Sequence, residues 1–190
     1  MIFLSALMNQ VISASQFMII KATIHDVPDL NVLVNSAYRG ESSKQGWTTE
    51  ADLLGGIRVN DHRLIEMITT TDSQILKYLD EKNKILACVH LEKHGGKLYL
   101  GLLTVSPVLQ GKGIGKELLS EADRVAKGLG CHSIYMTVIN ERTELIDWYV
   151  RNGYHITGER KPFPADDPRF GLPKKQLEFI VLEKKIGEET

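Results

Sequence analysis

Leu98–Gly130, LYLGLLTVSPVLQGKGIGKELLSEADRVAKGLG, is the stretch from which the rest of the chain is read. Lys97 to Val105 has the apolar and aromatic content of a strand, and Ser106-Pro107 ends it in a turn. Gln110-Gly111-Lys112-Gly113-Ile114-Gly115 follows as a glycine-rich loop. Leu118, Leu119, Ala122, Val125, Ala126 and Leu129 then recur at helical spacing, and Gly130 closes that helix. A helix N-terminus presents unpaired backbone N–H groups and the positive end of its dipole, and glycines let that backbone close on a phosphate. The loop therefore predicts a pyrophosphate cradle, although a tight turn before a helix uses glycine even without a ligand.

Upstream of this unit, Gln74 to Leu79 and Ile85 to Glu92 read as strands that form antiparallel hairpins with Lys97 to Val105, separated by Asp80 to Lys84 and by Gly95-Gly96. Earlier still, Met18 to Ile24 reads as a strand, and Asp26 with Pro28 predicts a helix start. Leu30, Leu33, Val34, Ala37 and Tyr38 form that helix's apolar face, which ends at Gly40 and a loop from Glu41 to Gln45. Thr49 with Asp52 predicts a second helix stopped by Gly55-Gly56, and a short helix is expected near Asp61 to Thr69. Downstream come a strand Ser133 to Ile139, a helix Thr143 to Asn152 capped by Gly153, a strand Tyr154 to Arg160, a proline-rich loop and a last strand Leu177 to Lys184. The sum is a mixed α/β domain, a mostly antiparallel sheet of about seven strands flanked by helices.

Composition bounds the function. The chain has 190 residues, 43% hydrophobic and 25% charged, enough for one real core. Its 23 basic and 24 acidic residues give a net charge of -1, which argues against nucleic acid as a partner. Cys88 and Cys131 sit beside apolar runs and read as small buried hydrophobes, which suits a reducing cytoplasm. Residues 1–17 lack a basic leader and are broken by Asn9 and Gln10, so they are expected to be a helical extension on the domain or at a dimer contact, with no membrane span. The functional domain is expected over 18–190, in a monomer or homodimer.

Two phosphate-binding rivals fit the letters poorly. A Walker loop needs Gly-Lys followed by Ser or Thr, but Lys112 precedes Gly113 and Lys116 precedes Glu117. A dinucleotide fingerprint needs glycine or alanine where Lys116 stands, and it opens a parallel unit rather than following hairpins. Gln110, Gly113 and Gly115 instead match the Q/R-x-x-G-x-G/A motif, and IDWYVRNGY, Ile146–Tyr154, carries a tyrosine four residues before a glycine-aromatic pair. In both motifs the chain resembles the GNAT superfamily of N-acetyltransferases, over essentially Met18 to Lys185.

The resemblance implies a GNAT-like sheet splayed where acetyl-CoA enters, and acetyl transfer from that co-substrate to an amine. It assigns main-chain contacts to acetyl-CoA at Leu103, Thr104 and Val105, and a pyrophosphate cradle at Gln110, Gly111, Lys112, Gly113, Ile114 and Gly115, with Lys116 adding charge. Tyr149 takes the place of the family's general acid, which protonates the departing thiolate. Where many members have an asparagine seven residues before that tyrosine this chain has Arg142, with Asn140 nearby; either is a cofactor contact. Many members take a base from a glutamate near the fourth strand, but Lys97 to Val105 holds no carboxylate, so Glu92, Glu50 or a water chain is left to serve.

The acceptor, a small-molecule amine or a peptide amine, is expected over Arg39 to Thr49 and Lys161 to Lys175. Trp47 and Phe163 would pack against it; Glu50, Asp166 and Asp167 would attract an ammonium, or Arg39, Arg58 and Arg169 a carboxylate. Cys88, His90, His94, Cys131 and His132 are zinc-type ligands whose spacing fits no usual pattern, and no metal is expected. Two other readings compete: a non-catalytic acetyl-CoA sensor, and a nicotinamide-dependent oxidoreductase resting on Glu141 as a ribose-binding acid.

Overall fold

The computed structural model describes residues 17–187; the expected extension at 1–17 lies outside them except for Phe17. Strand β1 (Met18–Lys21) leads to a 3-10 turn, Ile24–Asp26, and helix α1 (Val27–Tyr38). Asp26 is not the side-chain cap expected for α1. Its carboxylate accepts from the Thr23 backbone N–H at 2.7 Å and pairs with Lys77 at 2.6 Å, closing the turn that feeds the helix. A four-residue helix α2 (Gly40–Ser43) occupies part of the expected loop, and the helix expected from Thr49 is absent.

Thr49 instead accepts from the Ala51 N–H (3.1 Å) and meets the Ser43 hydroxyl (2.6 Å), so the segment makes one turn. Strand β2 (Leu54–Gly55) then pairs with a later strand, an option helical backbone would forfeit. Helix α3 (Asp61–Thr69) starts at Asn60, whose side chain accepts from the Arg63 N–H at 2.9 Å. Strands β3 (Ser73–Leu79), β4 (Ile85–His94) and β5 (Lys97–Val105) form the predicted antiparallel meander. Helix α4 (Ile114–Gly128), strand β6 (Ser133–Ile139), helix α5 (Thr143–Arg151), strand β7 (His155–Pro162), strand β8 (Leu172–Pro173) and strand β9 (Glu178–Lys185) complete the chain.

Seven strands join in the order β1-β3-β4-β5-β6-β9-β7, and β2 pairs with β8 apart from them. All contacts in the large sheet are antiparallel except β5 with β6. Alternation along the strands supplies two cores. Ala87, Val89 and Leu91 of β4 join Leu118, Ala122 and Ile146 of α4 and α5 on one face. Cys88, from between them, joins Leu30, Val34 and Leu64 of α1 and α3 on the other. The sheet is thus the middle of three layers.

Two irregularities open this sheet. The parallel pairing of β5 with β6 covers only Lys97, Leu98 and Tyr99, after which the strands diverge. At the same level the β4–β5 register slips: Cys88 pairs with Thr104 and His90 with Gly101, leaving Leu102 and Leu103 without register partners. Leu102 sits at φ 51°, a left-handed conformation that a leucine adopts only under constraint. The bulge and the divergence together make a cleft floored by the middle of β5.

Candidate active site

Two cavities meet at this cleft. The first, about 500 Å³, lies over the glycine-rich loop and is lined by Leu103, Val105, Gln110, Gly111, Gly113 and Gly115, among others. The second, about 90 Å³, lies in the splay between β5 and β6, with Arg39, Glu50, Arg58 and Phe163 in its wall. Tyr38, Leu103, Arg142, Leu145 and Tyr149 line both. A ligand in one cavity is therefore separated from a ligand in the other by a few side chains.

The loop cavity owes its shape to backbone. Gly111 and Gly113 stand at φ 80° and 91°, and a Cβ at either would meet nothing within 4 Å. Glycine is required there by conformation, and the adjoining space is open. Gly113 is the N-cap of α4 and no side chain caps the helix, so the helix start, with Gly113, Ile114 and Gly115 in the cavity wall, is left without a capping partner. Gly115 differs: a Cβ would press Trp148 at 3.3 Å, so its smallness serves packing of α4 on α5. The Gln110 side chain ties the loop down, donating to the Val105 carbonyl (3.2 Å) and accepting from the Trp47 N–H (2.9 Å).

Most residues expected at a pyrophosphate-bearing ligand converge on this cavity. Leu103, Val105, Gln110, Gly111, Gly113, Ile114, Gly115, Lys116 and Arg142 line it, whereas Thr104 and Lys112 line neither cavity. Thr104 is buried, with its hydroxyl donated to the Leu102 carbonyl at 2.9 Å. Trp47, expected on the amine side, lines the loop cavity instead, drawn there by the Gln110 contact. Phe163 stands in the splay cavity with Phe170 and Phe179, at ring-centroid distances of 6.2 and 5.2 Å.

Tyr149, on α5, is buried at the junction of the cavities and edges onto Tyr154 at 5.6 Å. Burial first, and then the neighbouring Tyr38 and Tyr154 phenols, raise its pKa well above that of a free phenol, against the pull of Arg142. It holds its proton. Tyr38, which the helical pattern assigns to the apolar face of α1, emerges as a site residue. It donates to the Leu103 carbonyl at 2.9 Å, and its ring lies under Arg58 at 5.1 Å and Arg142 at 5.7 Å.

Behind Tyr38 runs a buried ionic network. Glu50 lies 3.1 Å from Arg39 and 3.0 Å from Arg142. Arg142 also donates to the Thr48 hydroxyl at 2.8 Å, which donates to Glu144 at 2.7 Å. Glu50 is therefore held between two guanidiniums. Glu92 lines neither cavity and sits 3.2 Å from His94. Asn140 accepts from the Glu178 N–H at 3.3 Å, outside both cavities, which leaves Arg142 as the one of that pair at the site. Asp167 pairs with Arg169 at 2.5 Å and Glu141 with Lys175 at 2.5 Å, all away from the cavities. Among the described residues, no group of three His, Cys, Asp or Glu side chains is placed to hold a metal ion, and no helix is long and apolar enough to cross a membrane.

The sequence model of the Acetyltransferase (GNAT) family matches residues 57–154, slightly more than half the chain. Among solved structures, an N-acetyltransferase from Staphylococcus aureus Mu50 is similar at TM-score 0.68 and 14% identity, over 90% of this chain and 99% of that one. The ribosomal-protein-S18-alanine N-acetyltransferase from Escherichia coli gives TM-score 0.66 and 12% identity, over 92% and 97%. A spermidine N-acetyltransferase chimera from Vibrio cholerae and hSSAT gives TM-score 0.65 and 17% identity, over 90% and 96%. These likenesses are of fold. No curated protein sequence matches the chain.

Proposed function

This chain belongs to the acetyltransferase (GNAT) family, and from that premise we propose that it moves an acetyl group from acetyl-CoA directly to the primary amine of an acceptor, with Tyr149 as general acid. The observation that carries the reading is Tyr149's position in the wall of both cavities, with its phenol kept protonated by burial. The loop cavity fits acetyl-CoA. Main-chain N–H groups from Gln110 to Gly115 would hold its pyrophosphate, the backbone at Leu103 and Val105 its pantetheine arm, and Lys116 would add charge. When bound, acetyl-CoA supplies an activated thioester. The acceptor amine would enter from the splay cavity, past Phe163 and the network around Glu50.

The chain's own groups then have limited work. The amine must arrive neutral, and with Glu92 outside both cavities and Glu50 held by two guanidiniums, it gives its extra proton to solvent. As the C–N bond forms and the C–S bond breaks, Tyr149 Oη donates its proton to the sulfur, the new amide nitrogen gives its surplus proton to solvent, and solvent returns a proton to the Tyr149 phenolate. Residues 18–190 are proposed as the catalytic domain, with residues 1–17 as an extension to it, and two buried, unpaired cysteines suit a reducing cytoplasm.

Tyr149→Phe tests this. The variant should slow the chemical step in single-turnover thiol release by about a hundredfold or more, the scale of general acid catalysis, with calorimetric acetyl-CoA affinity nearly unchanged. An unaltered single-turnover rate would return Tyr149 to a packing role.

A further inference from the structure

The splay cavity carries more positive charge than its own acid balances. Arg39, Arg58 and Arg142 line it with a single carboxylate, Glu50. Glu50 is shared between Arg39 and Arg142. The Arg58 side chain has no ion pair or hydrogen bond among the described residues; its guanidinium rests only on the Tyr38 ring, which also receives Arg142. Arg39 is 7% exposed, and its Nε and Nη1 are buried without hydrogen-bond partners, as is Nε of Arg142. Leaving guanidinium donors buried and unpaired is expensive, which favours an anion in this cavity.

The nearest candidate acids from within the chain do not complete it. Asp167 is committed to Arg169, Glu144 takes the Thr48 hydroxyl, and neither Asp166 nor Asp167 lines the cavity. The rest of the wall is largely apolar, with Tyr99, Phe163, Phe170 and Phe179 beside aliphatic side chains around a volume of about 90 Å³. A polyamine would bring positive charge to a site already in excess of it. A planar guanidinium fork is matched by a carboxylate.

Building on the acetyl-transfer reading above, we infer that the acceptor is a small amine that also bears a carboxylate, an amino acid or a close relative. Its carboxylate sits on Arg58 and Arg39 while its amine faces Tyr149. Arg39 and Arg58 set specificity for the anion, and Glu50 holds Arg39 and Arg142 in place rather than attracting an ammonium.

The test measures thiol release from acetyl-CoA with three sets of acceptors: the common amino acids, their carboxamides, and spermidine. For the best side chain, the acid should exceed its amide at least about tenfold in kcat/KM. Arg58→Ala should raise the KM for that amino acid by about tenfold to a hundredfold with kcat little changed, and collapse the acid-to-amide ratio; Arg58→Lys should keep part of it. Arg58 is chosen because it is only half buried and no ion pair depends on it. Melting temperature and acetyl-CoA affinity by calorimetry report whether the variant is folded. Turnover of amides or spermidine in preference to amino acids would overturn the inference and leave acetyl transfer standing. Thiol release with none of the three sets overturns the inference, and if acetyl-CoA also fails to bind, the acetyl-transfer reading falls with it.

Discussion

His90 on β4 shows how one buried side chain makes the whole chain sensitive to acid. It is 2% exposed, its Nε2 lies 2.8 Å from the Ser73 hydroxyl, and its Nδ1 has no partner. Burial pushes its imidazole down to about 4; Glu92 at 3.9 Å pulls the other way, while Arg63, His94 and Arg58 push further down. The unfolded chain takes up this proton near pH 6.5 and the folded chain only near pH 4. Between those values the unfolded state binds more protons, so stability falls as pH falls, by about 2 kcal/mol between pH 7 and pH 5. Urea unfolding at the two pH values should show that loss, and His90→Gln, which keeps a donor toward Ser73, should remove most of it. Equal pH slopes in the two proteins would place the acid sensitivity elsewhere. Single residues were legible where their type is tied to backbone geometry, as at Gly111 and Gly113. Tyr38 was not: it shares helical spacing with Leu30 and Val34, and only contacts with residues remote in the chain, Leu103, Arg58 and Arg142, set it apart.

Among the elements, α3, β5, β6 and the two helices after the glycine-rich loop follow directly from periodicity and caps, because each is stabilised mainly by a face visible in its own sequence. The turn at Thr49–Asp52 does not. There a local capping pattern lost to partners remote in the chain: Glu50 joins the end of α1 through Arg39 to the start of α5 through Arg142, and β2 pairs with β8. Glu50→Ala would leave two buried guanidiniums close together with no acid between them. Breaking a buried pair in this way costs about 3–5 kcal/mol, far more than losing a surface bridge. Urea unfolding should show a destabilisation of that order, with the amine KM raised as Arg39 and Arg142 move. A loss below about 1 kcal/mol would mean that water already screens the network. The same logic explains why the β5 bulge was invisible to pattern alone: Leu102 reads as an ordinary strand leucine, and its positive φ arises from register with β4.

Taken whole, the molecule sets its two cavities against a common wall, and that arrangement bears on the order of the chemistry. The strand order β6-β9-β7 brings the last strand into the sheet between two earlier ones, a crossover that local patterns do not specify, and it builds the Phe163 and Phe179 side of the splay. Transfer through an acetylated enzyme would need a nucleophile at the shared wall. Neither cysteine is there: Cys88 is fully buried with its thiol pushed up to about 12 by desolvation, Cys131 is raised by the same cause, and neither lines the loop cavity or the splay cavity. What the wall offers is Tyr38, whose hydroxyl is given to the Leu103 carbonyl, and Tyr149, whose raised pKa keeps it protonated and so a poor nucleophile. On the proposed function, both substrates are then present together, one in each cavity. Initial-velocity plots against acetyl-CoA at several fixed acceptor concentrations should intersect, and incubation with radiolabelled acetyl-CoA alone should leave no label on the protein. Parallel lines together with stable labelling would require a covalent intermediate and would show that the cavities fill in turn.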